Sequence, residues 1–194
     1  MVADRAEQFV TGDINRFAML LFLLSEAAFF AFLIIAYVYF HGAVKSGPSA
    51  SNSLNPLKTG IYTVALLASS FTVWRAEKSY SRGRNGAFFN WLLATILLGA
   101  IFSFGQGREY IHLYRANVTV SRNIFGSAFF TLTGFHGLHV LLGLIALAIL
   151  FGLTLADKSS GRQSSAVRTI ATYWHFVDWV WVVIFSVVYI WALF

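Results

Sequence analysis

Five stretches of this 194-residue chain are apolar over lengths that match a bilayer, and that leaves few folds open. They cover residues 17–40, 57–74, 87–107, 128–155 and 171–194. At about 1.5 Å of rise per residue, each is long enough as a helix to cross roughly 30 Å of hydrocarbon. Strands of a membrane barrel would instead be shorter and alternate in polarity. The sequence therefore predicts an all-α polytopic membrane protein, a bundle of five transmembrane helices near 15–41, 57–78, 86–113, 125–156 and 168–194. These form a single membrane domain over 1–194. Charged residues make up 11% of the chain against 58% apolar, where soluble domains carry about 25% charged. The connections are too short for a soluble catalytic domain, so whatever the chain does is done in or beside the bilayer.

The charges lie between the apolar stretches, so the net charge of +6 gives no reason to expect nucleic acid. They set the orientation instead. Arg5, Arg16, Arg75, Lys78, Arg82, Arg84, Lys158, Arg162 and Arg168 fall on one side, nine in all. Lys45, Lys58, Arg108, Arg115 and Arg122 fall on the other, five in all. The positive-inside rule then places the N-terminus in the cytoplasm and the C-terminus outside. The head, residues 1–15, shows no small-residue cleavage site, so the first helix is expected to be retained. The chain contains no cysteine, which excludes disulfides, iron–sulfur clusters and thiolate metal sites within it.

Polar groups inside the apolar stretches call for a specific explanation, because an ionisable side chain at a helix centre costs on the order of 2.5–3.5 kcal/mol. Glu26 sits near the middle of the first stretch. The readings open to it are proton relay, lipid contact, pocket residue, or an acid hydrogen-bonded to a neighbouring helix. His136 and His139 share one helix face with Leu132 and Gly143, and His175 and Asp178 share a face of the next helix. A His–Asp pair at that spacing can hydrogen-bond, which fixes the imidazole tautomer. The two runs face each other if the last two helices form an antiparallel hairpin. A haem is disfavoured by two imidazoles one turn apart on one helix. The bland alternative is that these residues fasten helices together or meet lipid headgroups. Gln106, Arg108, Glu109 and Tyr110 close the third helix and are expected to form an interfacial cluster with His112 and Tyr114. Gly99, Ser103 and Gly107 are expected to make a close-packing seam.

Together these runs resemble a known family. Phe125-Gly126-Ser127-Ala128-Phe129-Phe130, with Thr133-Gly134-Phe135-His136-Gly137-Leu138-His139-Val140, resembles a signature of subunit III of haem-copper respiratory oxidases. Tyr173-Trp174-His175-Phe176-Val177-Asp178, with Trp181, is similar to the signature of that family's last helix. Leu23-Leu24-Ser25-Glu26-Ala27-Ala28-Phe29-Phe30 resembles the helix that carries its carbodiimide-reactive carboxylate, and Gln106-Gly107-Arg108-Glu109-Tyr110 matches its Gln-x-x-Glu-Tyr run. The matches fall in order on four of the five predicted helices. Long members have seven helices, so this chain resembles the short five-helix bacterial form.

The resemblance implies a non-catalytic accessory subunit of a proton-pumping terminal oxidase, most readily the cytochrome c oxidase, in a bacterial plasma membrane. Haem and copper would belong to partner subunits and none to this chain. Subunit I would be the main contact, with subunit II, a small subunit IV and bound phospholipid as further partners. Glu26 would be the embedded carboxylate. His136, His139, His175, Asp178, Gln106 and Glu109 would be buried polar, lipid or assembly residues. The intact Gln106–Tyr110 run favours cytochrome c over quinol as the electron donor by resemblance. Two other classes compete: a five-helix cytochrome b anchor, and a small transporter using Glu26 and Asp178. Against the transporter, the only prolines are Pro48 and Pro56, so no helix is visibly broken.

Overall fold

The computed structural model describes residues 2–43, 56–121, 124–156 and 163–191. Five α-helices follow one another: α1 (Val2–Ala43), α2 (Pro56–Ser81), α3 (Asn85–Arg115), α4 (Ile124–Ala156) and α5 (Gln163–Phe185). One π turn, Ser186–Ile190, extends α5. Among the described residues there is no strand. The stretch 44–55, which reads as an external loop and holds Lys45, lies outside the described residues, and so do Arg122, Lys158 and Arg162 of the orientation count.

The helices outrun the apolar stretches because the flanking polar residues are helix-compatible. α1 begins at Val2, ahead of the apolar run, and α2 carries Arg75 and Lys78 before it stops at Ser81. Those two cations lie over indole rings, Arg75 over Trp91 at 5.1 Å and Lys78 over Trp74 at 4.7 Å, which suits long charged side chains at a helix end. α2 and α3 then stop in the same way. Gly83 donates to the Tyr80 carbonyl and Arg84 to that of Ser79, with Gly83 at φ 68°. Asn117 donates to Tyr114 and Val118 to Leu113, with Asn117 at φ 59°. Both are Schellman closures, and each needs a residue that tolerates the left-handed region.

Contacts between side chains give the packing. Tyr80 meets Phe88 and Thr72 meets Thr95, so α2 and α3 are antiparallel. Phe89 meets Phe151 and Tyr110 meets Phe129, so α3 and α4 are antiparallel as well. His136 stacks on Trp181 while Tyr173 reaches the His139 backbone, which makes α4 and α5 the antiparallel hairpin the sequence suggested. α1 lies on the outside against α4 and α5, through Phe29 on Phe135 and Phe22 on Tyr173. Only 6% of its apolar window is buried, so its remaining surface needs lipid or a partner.

Four helices hold segments long and apolar enough to cross a membrane: Phe17–Phe40, Asn85–Arg115, Gly126–Leu155 and Ser165–Ile190. α2 has the length but not the mean apolarity, and most of its hydroxyls face the bundle. Thr59, Thr63, Ser69 and Thr72 are buried against the bundle. Leu57, Ile61, Val64, Leu67, Phe71 and Trp74 are exposed at helical spacing. The helix is polar inward and apolar outward, the reverse of a helix facing water.

Candidate functional site

The inward hydroxyls of α2 organise the centre of the bundle. Ser69 donates to the Leu66 carbonyl at 2.6 Å and accepts the Trp174 indole N–H at 2.9 Å. Thr63 donates to the Thr59 carbonyl at 2.9 Å and accepts the Trp181 N–H at 2.9 Å. Each hydroxyl spends its own hydrogen within α2 and offers its lone pair to an indole that would otherwise be buried unpaired. Both indoles are wholly buried. Trp174 also needs room, and two glycines supply it. A Cβ on Gly99 or on Gly143 would stand 2.8 Å from its ring. The expected seam of Gly99, Ser103 and Gly107 is therefore only partly realised. A Cβ on Gly107 would meet nothing within 4 Å, whereas one on Gly105 would collide with Tyr62 at 2.3 Å.

Glu26 and His139, which lie on different helices, come together. Glu26 Oε2 is 3.0 Å from His139 Nε2, and the two side chains are 21% and 12% exposed. His139 Nδ1 is 2.7 Å from the Phe135 carbonyl. A carbonyl only accepts, so Nδ1 carries a hydrogen and donates it. A single proton then lies between Nε2 and Oε2. Whether it rests on the acid or on the imidazole, the pair is neutral overall. Tyr173 donates to the His139 carbonyl at 3.2 Å, and Phe30 meets the imidazole edge-on at 5.1 Å.

His136 is fully buried and stacks on Trp181 at 4.9 Å, with Phe102 at 6.2 Å and Phe30 at 6.3 Å around it. Neither ring nitrogen has a hydrogen-bond partner. Although His136 and His139 are one turn apart, they therefore serve different surroundings.

The hydrogen bond that the spacing allows between His175 and Asp178 is not made. His175 Nδ1 is 2.7 Å from the Ser70 hydroxyl on α2. Asp178 is 2% exposed, and neither carboxyl oxygen has a hydrogen-bond partner. Side chains one turn apart share a face, but the imidazole reaches sideways to α2 and the short aspartate does not reach back.

The expected cluster at the end of α3 is also redrawn. Glu109 turns into the bundle rather than along its own helix. It accepts from the Thr59 hydroxyl at 3.0 Å and from the Tyr189 hydroxyl at 2.7 Å. The π turn sets Tyr189 there, buried and stacked on Phe185 at 5.2 Å. Tyr110 donates to Thr133 at 2.9 Å. The Gln106 amide is buried without a partner. His112 and Tyr114 are exposed. Thr59, Ser70, Tyr173 and Tyr189 were missed by residue-by-residue reading; the one signal for two of them was the run of hydroxyls in an otherwise apolar stretch.

Among the described residues, no three His, Asp or Glu side chains gather as a metal would require. The family model for cytochrome c oxidase subunit III matches residues 4–193. A relative described as "Probable cytochrome c oxidase subunit 3" from Mycobacterium leprae (strain TN) is 40% identical over 169 residues, 86% of this chain and 83% of the relative. The cytochrome c oxidase subunit 3 of Synechocystis sp. is 34% identical over 180 residues, 92% and 76% of the two chains. That of Lumbricus terrestris is 36% identical over 186 residues, 91% and 70%. With ordered matches across nearly its whole length, this chain belongs to the cytochrome c oxidase subunit III family.

Proposed function

We propose that the chain crosses a bacterial plasma membrane five times, N-terminus in the cytoplasm, and packs beside subunit I of a cytochrome c oxidase. There it acts without a redox centre of its own. Haem and copper sit in subunits I and II, and a small subunit IV joins the assembly. The chain holds phospholipid and sustains proton uptake by subunit I. The observation that carries the membrane part is the inside-out pattern of α2, whose exposed face is apolar from Leu57 to Trp74. Only hydrocarbon or another membrane helix makes that face favourable. The observation that carries the partner part is the long unburied surface of α1.

In this reading Glu26 and His139 form a neutral acid–imidazole contact at the α1–α4 junction, open to lipid on one side. His136, Gln106 and Glu109 hold helices in register. His175 and Asp178 lie nearer the end where α2 stops and α3 starts, which the charge count puts on the cytoplasmic side. An affinity tag on this chain, with extraction in mild detergent, tests the assignment. The expected eluate shows haem absorbance and cytochrome c oxidation. A monodisperse, colourless chain would defeat it, and a haem that stays with the chain once partners are stripped would favour a cytochrome b anchor.

A further inference from the structure

Three side chains on the α2–α5 seam are used neither by the indole seats nor by the Glu26–His139 pair. Asp178 is buried with both carboxyl oxygens unpartnered. His175 is half-buried, with Nδ1 2.7 Å from Ser70 Oγ. Asp178 stands four residues after Trp174 and three before Trp181, on the face of α5 whose indoles and imidazole reach Ser69, Thr63 and Ser70 of α2. Asp178 and His175 thus lie over the same stretch of α2, around the Ser70 hydroxyl. Glu77, two turns along α2 towards Ser81, is the charged neighbour of His175. Among the described residues Asp178 makes no salt bridge.

A carboxyl so enclosed persists only with a proton of its own or a countercharge at hand. The group able to exchange a proton with it is His175, and the path runs through Ser70. We propose that Asp178, Ser70 and His175 form a proton-exchange site, filled and emptied from its half-buried imidazole end. In the transfer, the Asp178 O–H bond breaks as its hydrogen passes to Ser70 Oγ. The Ser70 O–H bond breaks as that hydrogen passes to His175 Nδ1, on an imidazole already carrying hydrogen at Nε2. The products are a carboxylate, an intact hydroxyl and an imidazolium. The reverse sequence restores the start, no electron moves and no co-reactant is needed. Ser70 is the positioning residue, and a small rotation of the Asp178 carboxyl towards it completes the chain. The site lies within this chain, so it stands or falls separately from the accessory role.

The test is infrared spectroscopy of the assembled oxidase complex moved from H2O to D2O. The Asp178 carbonyl band is identified by its loss in Asp178→Asn. The expected wild-type result is a carboxylic-acid band that shifts as deuterium enters. Ser70→Ala should slow that shift about tenfold or more, equal to about 1.4 kcal/mol in barrier, and Ser70→Thr should restore it. His175→Gln probes the same route from the other end and should slow it likewise. Unchanged exchange in both Ser70→Ala and His175→Gln would overturn the route. A band that never exchanges in the wild type, or no Asp178 acid band at all, would overturn the site.

Discussion

Glu26 and Asp178 are both acids inside the bundle with an imidazole in the neighbourhood, and they end up in opposite situations. Glu26 meets His139 across a helix contact at 3.0 Å, on the flank of the bundle where α1 is mostly uncovered. Asp178 has His175 on its own helix, one turn away, and does not touch it. The difference lies in reach and direction. In a helix, side chains three apart point the same way but stand side by side, each towards the next helix. A pair forms readily when two helices aim at each other, as α1 and α4 do here. The extra methylene of glutamate closes the last of the gap. Aspartate, shorter and set in the buried centre, reaches no such partner.

Trp174, on α5, sets its ring against Gly99 of α3 and Gly143 of α4, next in sequence to residues of both arrangements. Gly143 is one turn beyond His139, and Trp174 immediately precedes His175. Gly143→Leu forces α4 away from α5 and should disturb both acids at once. The expected cost is about 3 kcal/mol, the upper part of the range for overpacking. It is read as a lowered melting temperature of the detergent-solubilised complex and as loss of the Tyr173–His139 contact. A melting temperature equal to wild type would mean that the clamp is loose.

The Glu26–His139 contact is the next test. Glu26→Ala leaves Nε2 facing lipid without a partner, which should cost about 2 kcal/mol. Glu26→Gln should cost less than about 1 kcal/mol, because its amide N–H can donate to an unprotonated Nε2. A double-mutant cycle with His139→Ala should give a coupling of about 1–2 kcal/mol. Additive effects would show that the two side chains are neighbours without being partners. Initial oxidase turnover should stay near wild type in Glu26→Gln, since the pair is proposed to be structural or lipid-linked.

What could be read from residues alone follows the same division. Apolar length is a property of one segment, so the helices were legible, and helical spacing correctly put His136 and Leu132 on one buried face. α2 was legible as a helix by its length, but not the direction of its hydroxyls, which the sequence does not display. Partners across helices were not legible. Nothing local tells that Glu26 will find His139, that Glu109 will turn to Thr59 and Tyr189, or that His175 will choose Ser70. Those choices depend on which helices become neighbours and at what rotation. The small-residue stripe failed for a related reason: spacing marked Gly107, but the ring that needed room was Tyr62, opposite Gly105.

The smallest effect is expected where a direct ion pair would predict a large one. If Asp178 gripped His175 directly, Asp178→Asn would remove a buried charge partner and cost about 3–5 kcal/mol. With no hydrogen bond to lose, the near-isosteric amide should change stability by less than about 1 kcal/mol. Coupling to His175→Gln, measured by the same cycle, should also stay below about 1 kcal/mol and vanish in a Ser70→Ala background, because the proposed route between the two runs through that hydroxyl. A coupling above that range that survives Ser70→Ala would mean a direct contact between acid and imidazole. The two acids would then be two versions of one arrangement, and the distinction between a cross-helix pair and a hydroxyl-bridged set would not hold.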